Sequence, residues 1–237
     1  MFCRRGDTGW AAARTNGGRD PGRVHTMQRR AIETRGKILA AAVSVFAAKG
    51  PNGATVDDIA AAAGVNKQRL YAYFGSKGGL FDAALLHVFE EVELFSVATV
   101  REAEKHPEQL TEILLRGFFR VHAAHPAFWR LLSWANLEGM ESVTKLDQAR
   151  KSENEALRRI YDDAIRRGVL KSERFETYLF TLLSVSYFCY SNRLTWNRTL
   201  NLDFPDGEWQ ELLCAEVAQA FSRGTASKEL HDEPDKR

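Results

Sequence analysis

Apolar residues recur every three or four positions in the first third of the chain, beginning close to Gln28. This spacing places them on one face of an α-helix, and the residues that share the face are Ile38, Leu39, Ala42, Val45 and Phe46. Gly50 and Pro51 follow directly, and a glycine followed by a proline is typical of a helix C-terminus. The pattern therefore predicts a helix that begins near Gln28 and ends at Gly50.

Two short helices are predicted next. Thr55 and Asp58 have the spacing of a capping box, and a carboxylate there also suits the positive end of the helix dipole. Gly64 ends the first short helix, and Asn66 is a favourable N-cap for the second. The residues predicted to face inward are Ile59, Ala60, Ala63, Leu70 and Phe74. A tight turn then leads into a fourth helix that begins near Lys77.

Helical spacing continues beyond residue 80, interrupted by glycines and prolines. Including this fourth helix, we predict six longer helices, over residues 77–104, 108–123, 126–138, 145–167, 174–197 and 207–223. No run of alternating Val, Ile and Thr bounded by turn residues predicts a strand. The predicted fold class is therefore all-α.

The two ends of the chain differ in composition from the rest. Residues 1–27 are rich in glycine and arginine with hardly any apolar periodicity, and residues 224–237 are polar. Both are expected to be disordered tails. Met27 stands immediately before the first helical pattern, so we hypothesise that it is the true start, which an intact-mass measurement of the native protein would test.

Net charge is unevenly distributed along the chain. The whole chain carries a formal charge of +2. Through Leu80 there are 13 basic and 5 acidic residues, whereas the remainder carries 20 basic and 26 acidic ones. A basic first third on an acidic body favours contact between the front end and a polyanion.

The cysteines and the apolar runs of the sequence indicate the cellular compartment of the protein. Cys3, Cys189 and Cys214 are odd in number and far apart, so they form no disulfide framework, and no pair has metal-ligand spacing. The first residues are basic but lack the apolar core of a signal peptide. The longest uncharged run, 177–192, is shorter than the roughly 18 residues that span a bilayer. We expect a soluble cytoplasmic protein with no membrane partner and no metal or other cofactor.

Two short helices joined by a tight turn that contains glycine have the general form of a helix-turn-helix. In that motif the N-terminal residues of the second helix meet base edges in the major groove of DNA. The second helix here begins with Lys67, Gln68 and Arg69. Two cations at the positive end of a helix dipole cost roughly 0.3 kcal/mol or more, and a nearby phosphate backbone would reverse the sign of that cost. Gln68 can pair with adenine and Arg69 with guanine.

Further polar side chains near these helices are suited to phosphate oxygens. Tyr71 and Tyr73 carry hydroxyl groups, and Lys77 stands beside the free amides at the start of the fourth helix. The alternative interpretation is that all these groups are solvated surface charges and core aromatics. For any single residue the two interpretations are about equal, whereas the ordered combination favours DNA binding.

An ordered motif runs through these helices. It reads Ile38-Leu39-x-Ala41-Ala42-x-x-Val45-Phe46-x-x-Lys49-Gly50, then Thr55-x-x-x-Ile59-Ala60-x-x-Ala63-Gly64-Val65, and then Leu70-Tyr71-x-Tyr73-Phe74-x-Ser76-Lys77-x-x-Leu80. This motif resembles that of the TetR family of transcriptional regulators. The resemblance implies an N-terminal three-helix DNA-binding domain, which we place at 28–76, and a divergent all-α effector-binding and dimerisation domain, at 77–223. It also implies a homodimer bound to a palindromic operator of double-stranded DNA.

By position, the resemblance implies two kinds of DNA contact. The family's phosphate-contact sites match Thr55, Tyr71, Tyr73 and Lys77, and its recognition positions match Lys67, Gln68 and Arg69. The chain departs from the family where Gly78 and Gly79 replace the usual acidic residue, and each glycine weakens a helix by about 1 kcal/mol relative to alanine. Gln68 and Arg69 also replace a common pair of a small residue and Thr or Ser, so we expect an unfamiliar operator.

Two C-terminal helices are candidates for the dimer interface. The helix over 174–197 is apolar nearly all round, and in 207–223 an apolar residue recurs every fourth position, at Trp209, Leu213, Val217 and Phe221. A stripe of this kind can dock on a partner helix. With the family resemblance, this predicts that both helices form the homodimer contact. The alternative is that both pack inside one subunit.

Aromatic residues and two histidines crowd the region 118–134. A ligand pocket needs an apolar lining and a few polar groups, so we predict that an unknown small-molecule effector, aromatic or otherwise bulky and apolar, binds here. The candidate lining residues are Phe119, His122, Trp129, Trp134, Tyr178 and Tyr187. Ordinary core packing is the alternative for each of them. His122 and His125 share a helix face, but no Cys or acidic partner lies nearby in sequence, so metal binding is not predicted.

Enzyme signatures such as a Walker loop, a dinucleotide glycine fingerprint or a nucleophile elbow are missing from the sequence. The sequence therefore predicts a non-enzymatic DNA-binding regulator, specifically a dimeric repressor that leaves DNA when its effector binds. An activator or an effector-independent regulator fits the same residues. A small-molecule-binding or catalytic helical protein with incidental DNA affinity is the alternative from a different class.

Overall fold

A computed structural model describes residues 21–139, 146–171, 174–204 and 207–223 of the protein. Within these residues the fold is all-α, as the spacing of apolar residues predicts. The helices in chain order are α1 (Pro21–Gly53), α2 (Val56–Ala63), α3 (Lys67–Phe74), α4 (Lys77–Lys105), α5 (Leu110–Ala124), α6 (Pro126–Leu137), α7 (Leu146–Arg166), α8 (Phe175–Ser191), α9 (Arg193–Thr199) and α10 (Gly207–Phe221). A single 3-10 turn, Pro107–Gln109, precedes α5.

The first helix begins earlier than its apolar spacing indicates. The pattern predicts a start near Gln28, whereas α1 begins at Pro21. A proline suits the first turn of a helix because its φ is preset and its missing N–H would have no partner there. The helix therefore enters the predicted tail of residues 1–27, of which residues 1–20 lie outside the described part, as does the tail 224–237. Gly50, with φ 72° and ψ 170°, interrupts the regular helix where the sequence predicts its end.

Local hydrogen bonds fix the two short helices. Thr55 Oγ accepts the Asp58 N–H and Asp58 Oδ2 accepts the Thr55 N–H, each at 3.0 Å, which confirms the predicted capping box. These bonds with Thr55, followed by the ion pair with Lys49, lower the pKa of Asp58 to about 2. The stability that this carboxylate contributes is therefore present above its ordinary pKa and is lost as pH falls through about 2. Asn66 Oδ1 accepts the Arg69 N–H at 2.9 Å and so caps α3 as predicted.

One hydrophobic core joins α1, α2, α3, the first half of α4 and α6. Its largest fully buried side chains are Phe46, Phe81, Ile38, Ile59, Leu80 and Leu85. Phe46 and Phe81 meet edge to face with ring centroids 5.1 Å apart, an arrangement that adds about 0.5–1.5 kcal/mol to the burial itself. Because Phe128 and Leu131 of α6 belong to this core, it extends well beyond residue 76.

A second core lies among α5, α7, α8 and α10. Its fully buried members include Leu110, Leu115, Phe119, Ala164, Tyr178, Leu182 and Cys214. Arg116 of α5 pairs with Glu211 of α10 at 2.8 Å. Arg158 of α7 lies over the Phe175 ring of α8, 4.5 Å from its centroid. The ion pair and the cation–π contact thus connect helices that the second core also joins.

The region predicted as one helix over 174–197 is two helices. Asn192, with φ −114° and ψ 17°, separates α8 from α9. Its side-chain amide donates to Ser191 Oγ at 2.9 Å. Short polar side chains that bond locally favour helix ends, and the apolar spacing on both sides conceals this break in the sequence.

The apolar stripe of α10 packs against the second core. Trp209, Leu213 and Val217 pack against that core, and the Phe221 ring meets the Tyr178 ring edge to face at 4.9 Å. These four residues pack against their own subunit's core and stay partly exposed, and the homodimer contact through this helix stays a prediction. The large apolar side chain that α10 exposes is Leu212, at 59%.

Gly78 and Gly79, at the start of α4, have different structural roles. A Cβ added at Gly79 would lie 2.4 Å from the Phe74 carbonyl oxygen, whereas at Gly78 its nearest neighbour would be Ser76 Oγ at 3.8 Å. Gly79 N–H also donates to Ser76 Oγ at 2.9 Å. The close approach between the end of α3 and the start of α4 therefore requires glycine at position 79 but not at position 78.

We expect Gly79→Ala to lower the free energy of unfolding by about 1–3 kcal/mol, because the added methyl forces the backbone apart. Gly78→Ala should raise it by about 0.5–1 kcal/mol, since alanine favours an exposed helical position over glycine. Urea denaturation of the two single variants measures both changes. Equal effects of the two substitutions would show that the turn does not depend on the close approach at Gly79.

Candidate DNA-binding surface and effector cavity

The first turn of α3 presents polar side chains outward. Lys67, Gln68 and Arg69 are all exposed, whereas Leu70, the next residue, is only 2% exposed and anchors the helix in the first core. The Asn66 cap holds the start of this turn. An exposed amide and two cations at a fixed helix N-terminus match the donors that read adenine and guanine in a major groove.

Lys67 forms an ion pair with the first helix of the motif. Its Nζ lies 3.0 Å from Asp57 Oδ2 in the first turn of α2. The hydrogen bond that Lys67 donates to Asp57, together with the negative charge of Asp57, raises the pKa of Lys67 above its ordinary value, so the side chain stays protonated. The two helices of the motif are thus linked by an ion pair on the surface that carries Gln68 and Arg69.

Thr55 and Lys77 lie together at the start of α2. The ammonium group of Lys77 donates to the carbonyl oxygen of Ala54 at 3.2 Å, one residue before Thr55. Thr55 is exposed, and its Oγ already accepts the Asp58 N–H, which leaves its hydroxyl proton as a donor. A hydroxyl, an ammonium and a helix N-terminus at one point suit a phosphate oxygen.

The two tyrosines of α3 also reach solvent. Tyr71 is 44% exposed and Tyr73 is 37% exposed. The Tyr73 ring lies beside that of Phe74, with centroids 6.3 Å apart. Of the seven residues predicted to contact DNA, five therefore lie on α3, Thr55 caps the start of α2, and Lys77 is the first residue of α4.

A cavity of about 860 Å³ lies among α4, α5, α6, α7 and α8. The residues that line it are Phe89, Val92, Phe118, Val121, His122, Phe128, Leu132, Ser133, Asn136, Leu137, Asn154, Leu179, Phe180, Leu183, Ser184, Tyr187, Ser191 and Asn192. Among the lining residues that the structure describes there is no Lys, Arg, Asp or Glu. Its volume falls within the range of small-molecule sites, and a mostly apolar wall with a few polar groups is typical of them.

Two of the six predicted ligand residues, His122 and Tyr187, line this cavity. The His122 ring stacks on the Phe128 ring, with centroids 6.2 Å apart and planes inclined by 12°. It meets the Tyr187 ring edge to face at 6.0 Å. The Tyr187 hydroxyl is hydrogen-bonded to Ser133 Oγ. These groups form the polar part of an otherwise aromatic wall.

The other four predicted ligand residues lie outside the cavity lining. Phe119 is fully buried against the rings of Tyr190 and Phe204. Tyr178 is hydrogen-bonded to Thr111 at 3.0 Å, and burial raises its pKa. Trp129 and Trp134 pack against the first core. The alternative of ordinary core packing therefore describes these four, because each turns toward a core rather than toward the cavity.

Helical spacing identifies lining residues that sequence reasoning missed. On α5, Phe118, Val121 and His122 are three and four positions apart and face the cavity together. On α8 the residues every fourth position from 179 to 191 do the same: Leu179, Leu183, Tyr187 and Ser191. The signal was present in the sequence, but nothing in the sequence distinguishes this face from the one that packs in the core.

A smaller cavity of about 360 Å³ shares Ser184 with the larger one. Its wall is almost entirely apolar and is formed by Val185, Phe188, Cys189, Trp196, Leu200, Leu202, Phe204 and Trp209. Burial raises the pKa of the Cys189 thiol to about 11, and burial does the same for Cys214. Both thiols are therefore protonated and unreactive at neutral pH.

Helix α6 connects the larger cavity to the helix-turn-helix. Leu132, Ser133 and Asn136 line the cavity, while the Trp134 ring lies against Gly50 at the end of regular α1, where an added Cβ would be 2.9 Å from it. The side-chain amide of Asn52 donates to Glu138 at 2.7 Å, just beyond α6. A shift of α6 caused by a bound molecule would therefore act on the segment that leads into α2.

Metal sites and membrane-spanning helices are both absent from the described residues. No three His, Cys, Asp or Glu side chains within them lie close enough to hold a metal ion. Their helices are nowhere both long and apolar enough to cross a membrane.

A capped helix-turn-helix with an exposed polar first turn, followed by a larger helical domain, is the architecture of a DNA-binding regulator. Residues 38–84 match the family described as bacterial regulatory proteins, tetR family, and residues 107–220 match the Tetracyclin repressor-like C-terminal domain. The chain belongs to the TetR family and is a DNA-binding transcriptional regulator. Dimerisation and a response to small molecules are typical of this family.

Several individual proteins are similar to this chain. It is 31% identical over 180 residues to the HTH-type transcriptional repressor NicS of Pseudomonas putida. The matched region covers 74% of this chain and 84% of NicS. It is 39% identical over 111 residues to the HTH-type transcriptional repressor SCO4008 of Streptomyces coelicolor, covering 47% and 52% of the two chains. The crystal structure of the TetR family regulator PfmR from Thermus thermophilus shares the fold, with a TM-score of 0.61, 20% identity and coverage of 80% and 96%.

Proposed function

We propose that this regulator is a dimeric repressor that binds a palindromic operator through α3 and leaves it when a small molecule fills the larger cavity. The observation that carries the proposal is that α6 both lines the cavity and packs against the end of α1. We assign DNA binding to residues 28–76, and effector binding and dimerisation to residues 77–223. Two relatives that are named repressors support the direction of regulation.

Base reading is assigned to the first turn of α3. Gln68 and Arg69 are exposed and make no ion pair with any residue that the structure describes, so both are available to base edges. Lys67 occupies the same turn, but its ammonium group is engaged by Asp57 at 3.0 Å, and it must exchange that partner to reach DNA. The phosphate anchors are the residues around this turn, namely Thr55, Tyr71, Tyr73 and Lys77.

The dimer contact is assigned to exposed apolar residues of α8 and α10. Phe180 is 70% exposed and Leu183 is 36% exposed on α8, and Leu212 is exposed on α10. Large apolar side chains left in solvent are typical of a surface that another protein covers. Phe180 and Leu183 also line the larger cavity, so a second copy that docks here would cover part of the cavity mouth.

The effector is assigned to uncharged, aromatic or otherwise bulky apolar molecules. The described residues that line the larger cavity carry hydroxyl, amide and imidazole groups, and none of them carries a carboxylate, ammonium or guanidinium group. A buried charge without a partner is strongly unfavourable, whereas apolar area removed from water contributes about 25 cal/mol per Å². The polar groups around His122 and Ser133 would orient such a molecule.

Release of DNA requires that the effector favour one arrangement of α6. A ligand shifts an equilibrium only as far as it binds the two states differently. The Trp134 ring against Gly50 and the hydrogen bond from Asn52 to Glu138 would transmit that preference to the helix-turn-helix. In a dimer, the two α3 helices must lie about 34 Å apart, one helical turn of DNA, to fit successive major grooves. A small change in that distance is therefore sufficient to release the DNA.

Substitutions at Arg69 and Lys77 test the division between base readers and phosphate anchors. Arg69→Gln should cost about 1–3 kcal/mol in binding to the operator and much less on random DNA, because a guanine contact is lost. Lys77→Gln should weaken both duplexes alike and reduce the salt slope of log K by about 1 per subunit. Fluorescence anisotropy over a salt series measures both effects. If the two variants lose operator preference to the same extent, the assigned roles are wrong.

A further inference from the structure

One hydrogen bond in the wall of the larger cavity joins α6 to α8. Its partners are the hydroxyl groups of Ser133 and Tyr187, and both residues line the cavity. Ser133 Oγ also donates to the carbonyl oxygen of Trp129, one turn earlier on α6, at 2.7 Å. A serine hydroxyl carries a single proton, so the bond to Trp129 uses the proton of Ser133. The bond between the two hydroxyl groups is therefore donated by Tyr187 to Ser133.

This direction leaves the Tyr187 oxygen as an acceptor. A phenolic hydroxyl has one proton and can also accept a hydrogen bond, and the proton of Tyr187 is already used within the wall. The edge-to-face contact with the His122 ring, at 6.0 Å between centroids, holds the Tyr187 ring in place. A group that reaches this oxygen can donate to it but finds no proton there to accept.

A second acceptor lies on the same face of α6. Asn136 follows Ser133 by three positions and lines the same cavity. One N–H of its side-chain amide donates to the carbonyl oxygen of Leu132 at 2.8 Å, and the oxygen of the same amide can accept a hydrogen bond. Asn136 and Tyr187 thus each use a donor within the protein and keep an oxygen that can accept a bond from a molecule in the cavity.

We propose that the effector carries an N–H or O–H donor on its apolar body and that the Tyr187 oxygen selects for this donor. The inference rests on the proposed function, since it takes the larger cavity as the effector site, and it narrows the effector to neutral phenols, anilines and N–H heterocycles. A ligand with such a donor replaces its lost bond to water by a bond to Tyr187. A ligand whose polar atom can only accept, such as an ether, loses its bonds to water and gains none from Tyr187.

Two naphthalenes that differ at one oxygen test this selection: 2-naphthol, which can donate, and 2-methoxynaphthalene, which can only accept. Calorimetric titration of the full chain gives both dissociation constants, and each is compared with that of the unsubstituted protein. Tyr187→Phe removes the oxygen and keeps the ring. It should weaken 2-naphthol binding by about 3–10-fold, the effect of one net hydrogen bond, and should change 2-methoxynaphthalene binding by less than about twofold.

Ser133→Ala is the matched variant on the other side of the bond, and its expected effect falls on the other ligand. Without the Ser133 oxygen, the proton of Tyr187 is released from this bond, so the Tyr187 hydroxyl can donate as well as accept. The variant should bind 2-methoxynaphthalene about 3–10-fold more tightly and keep 2-naphthol binding within about twofold. If both variants instead weaken both ligands alike, the bond serves packing alone and the proposal is overturned.

The outcome for Tyr187 is separable from the outcome for the cavity. If both naphthalenes bind and neither variant changes the ratio of their dissociation constants, selection by Tyr187 is contradicted while the cavity keeps its role as the effector site. If neither naphthalene binds the unsubstituted protein, the cavity as effector site and the selection by Tyr187 are both contradicted.

Discussion

N-phenylnaphthylamine, an uncharged fluorescent aromatic amine, is expected to bind the larger cavity at least about 100-fold more tightly than its sulfonated analogue, anilinonaphthalene sulfonate. The two probes share one apolar skeleton, so they gain similar free energy from burial. The sulfonate would enter a cavity whose described lining residues include no Lys or Arg, so its charge would lose hydration without gaining an ion partner from them. Fluorescence titration of the full chain measures both dissociation constants. Equal affinity, or tighter binding of the sulfonate, would contradict an uncharged effector.

A pair of substitutions at Ser184 assigns the probe signal to the cavity. Ser184 lines the larger cavity on α8 and is also part of the smaller one. Ser184→Phe should weaken binding of the neutral probe by at least about tenfold because its ring occupies the space, whereas Ser184→Ala should change it by less than about twofold. Probe binding that is insensitive to both changes would place the probe on an exposed apolar surface instead.

Operator DNA is expected to lower the affinity of the protein for a cavity ligand, and Trp134→Ala should remove most of that effect. Allosteric coupling is reciprocal, and it typically amounts to about 5–150-fold. Trp134 joins α6 to Gly50 at the end of regular α1, so its loss separates the cavity from the helix-turn-helix. In the variant the coupling should fall below about threefold. Titration of the neutral probe with and without saturating operator measures this ratio.

The control for that experiment is Trp129→Ala on the same helix. Trp129 also packs against the first core, so the two substitutions remove similar apolar volume and should cost similar stability, about 3–5 kcal/mol at most. No atom of Trp129 is among those closest to Gly50. The Trp129→Ala variant should therefore keep the coupling between operator binding and probe binding. Loss of coupling in both variants would mean that general loosening of α6, rather than the contact with Gly50, carries the signal.

Local chemistry in the sequence was sufficient to predict the helix-turn-helix. The capping box of Thr55 and Asp58, the Asn66 cap and the glycine that ends α2 each act over a few residues, and their hydrogen bonds are present as predicted. Side-chain caps depend on neighbours in sequence more than on tertiary packing. For the same reason the buried face of α1, including Ile38 and Phe46, could be identified from spacing alone.

The effector cavity could not be located from composition. Phe118 and Phe119 are adjacent in sequence, yet Phe118 lines the cavity and Phe119 is buried in the second core. Adjacent residues of a helix point in directions about 100° apart, and which direction meets a cavity depends on the packing of distant helices. A cluster of aromatic residues therefore indicates apolar surroundings but does not separate a lining from a core.

Gly79 shows a different limit of sequence reasoning. Helix propensity alone makes two consecutive glycines a weak start for α4. The structure explains why glycine occupies position 79: a Cβ there would lie 2.4 Å from the carbonyl oxygen of Phe74. That approach is a tertiary distance between two helices, and no local pattern encodes it.

The most direct test of the central claim is a footprint of the full chain on the DNA upstream of its own gene, with affinities at physiological salt. We predict two protected half-sites related by a palindrome, with centres about 10–10.5 base pairs or a multiple of that apart. Affinity for this DNA should exceed that for a random duplex by at least about 1,000-fold. Even protection along the DNA, with binding no tighter than to the random duplex at the same salt, would contradict a sequence-specific regulator that reads its operator through α3.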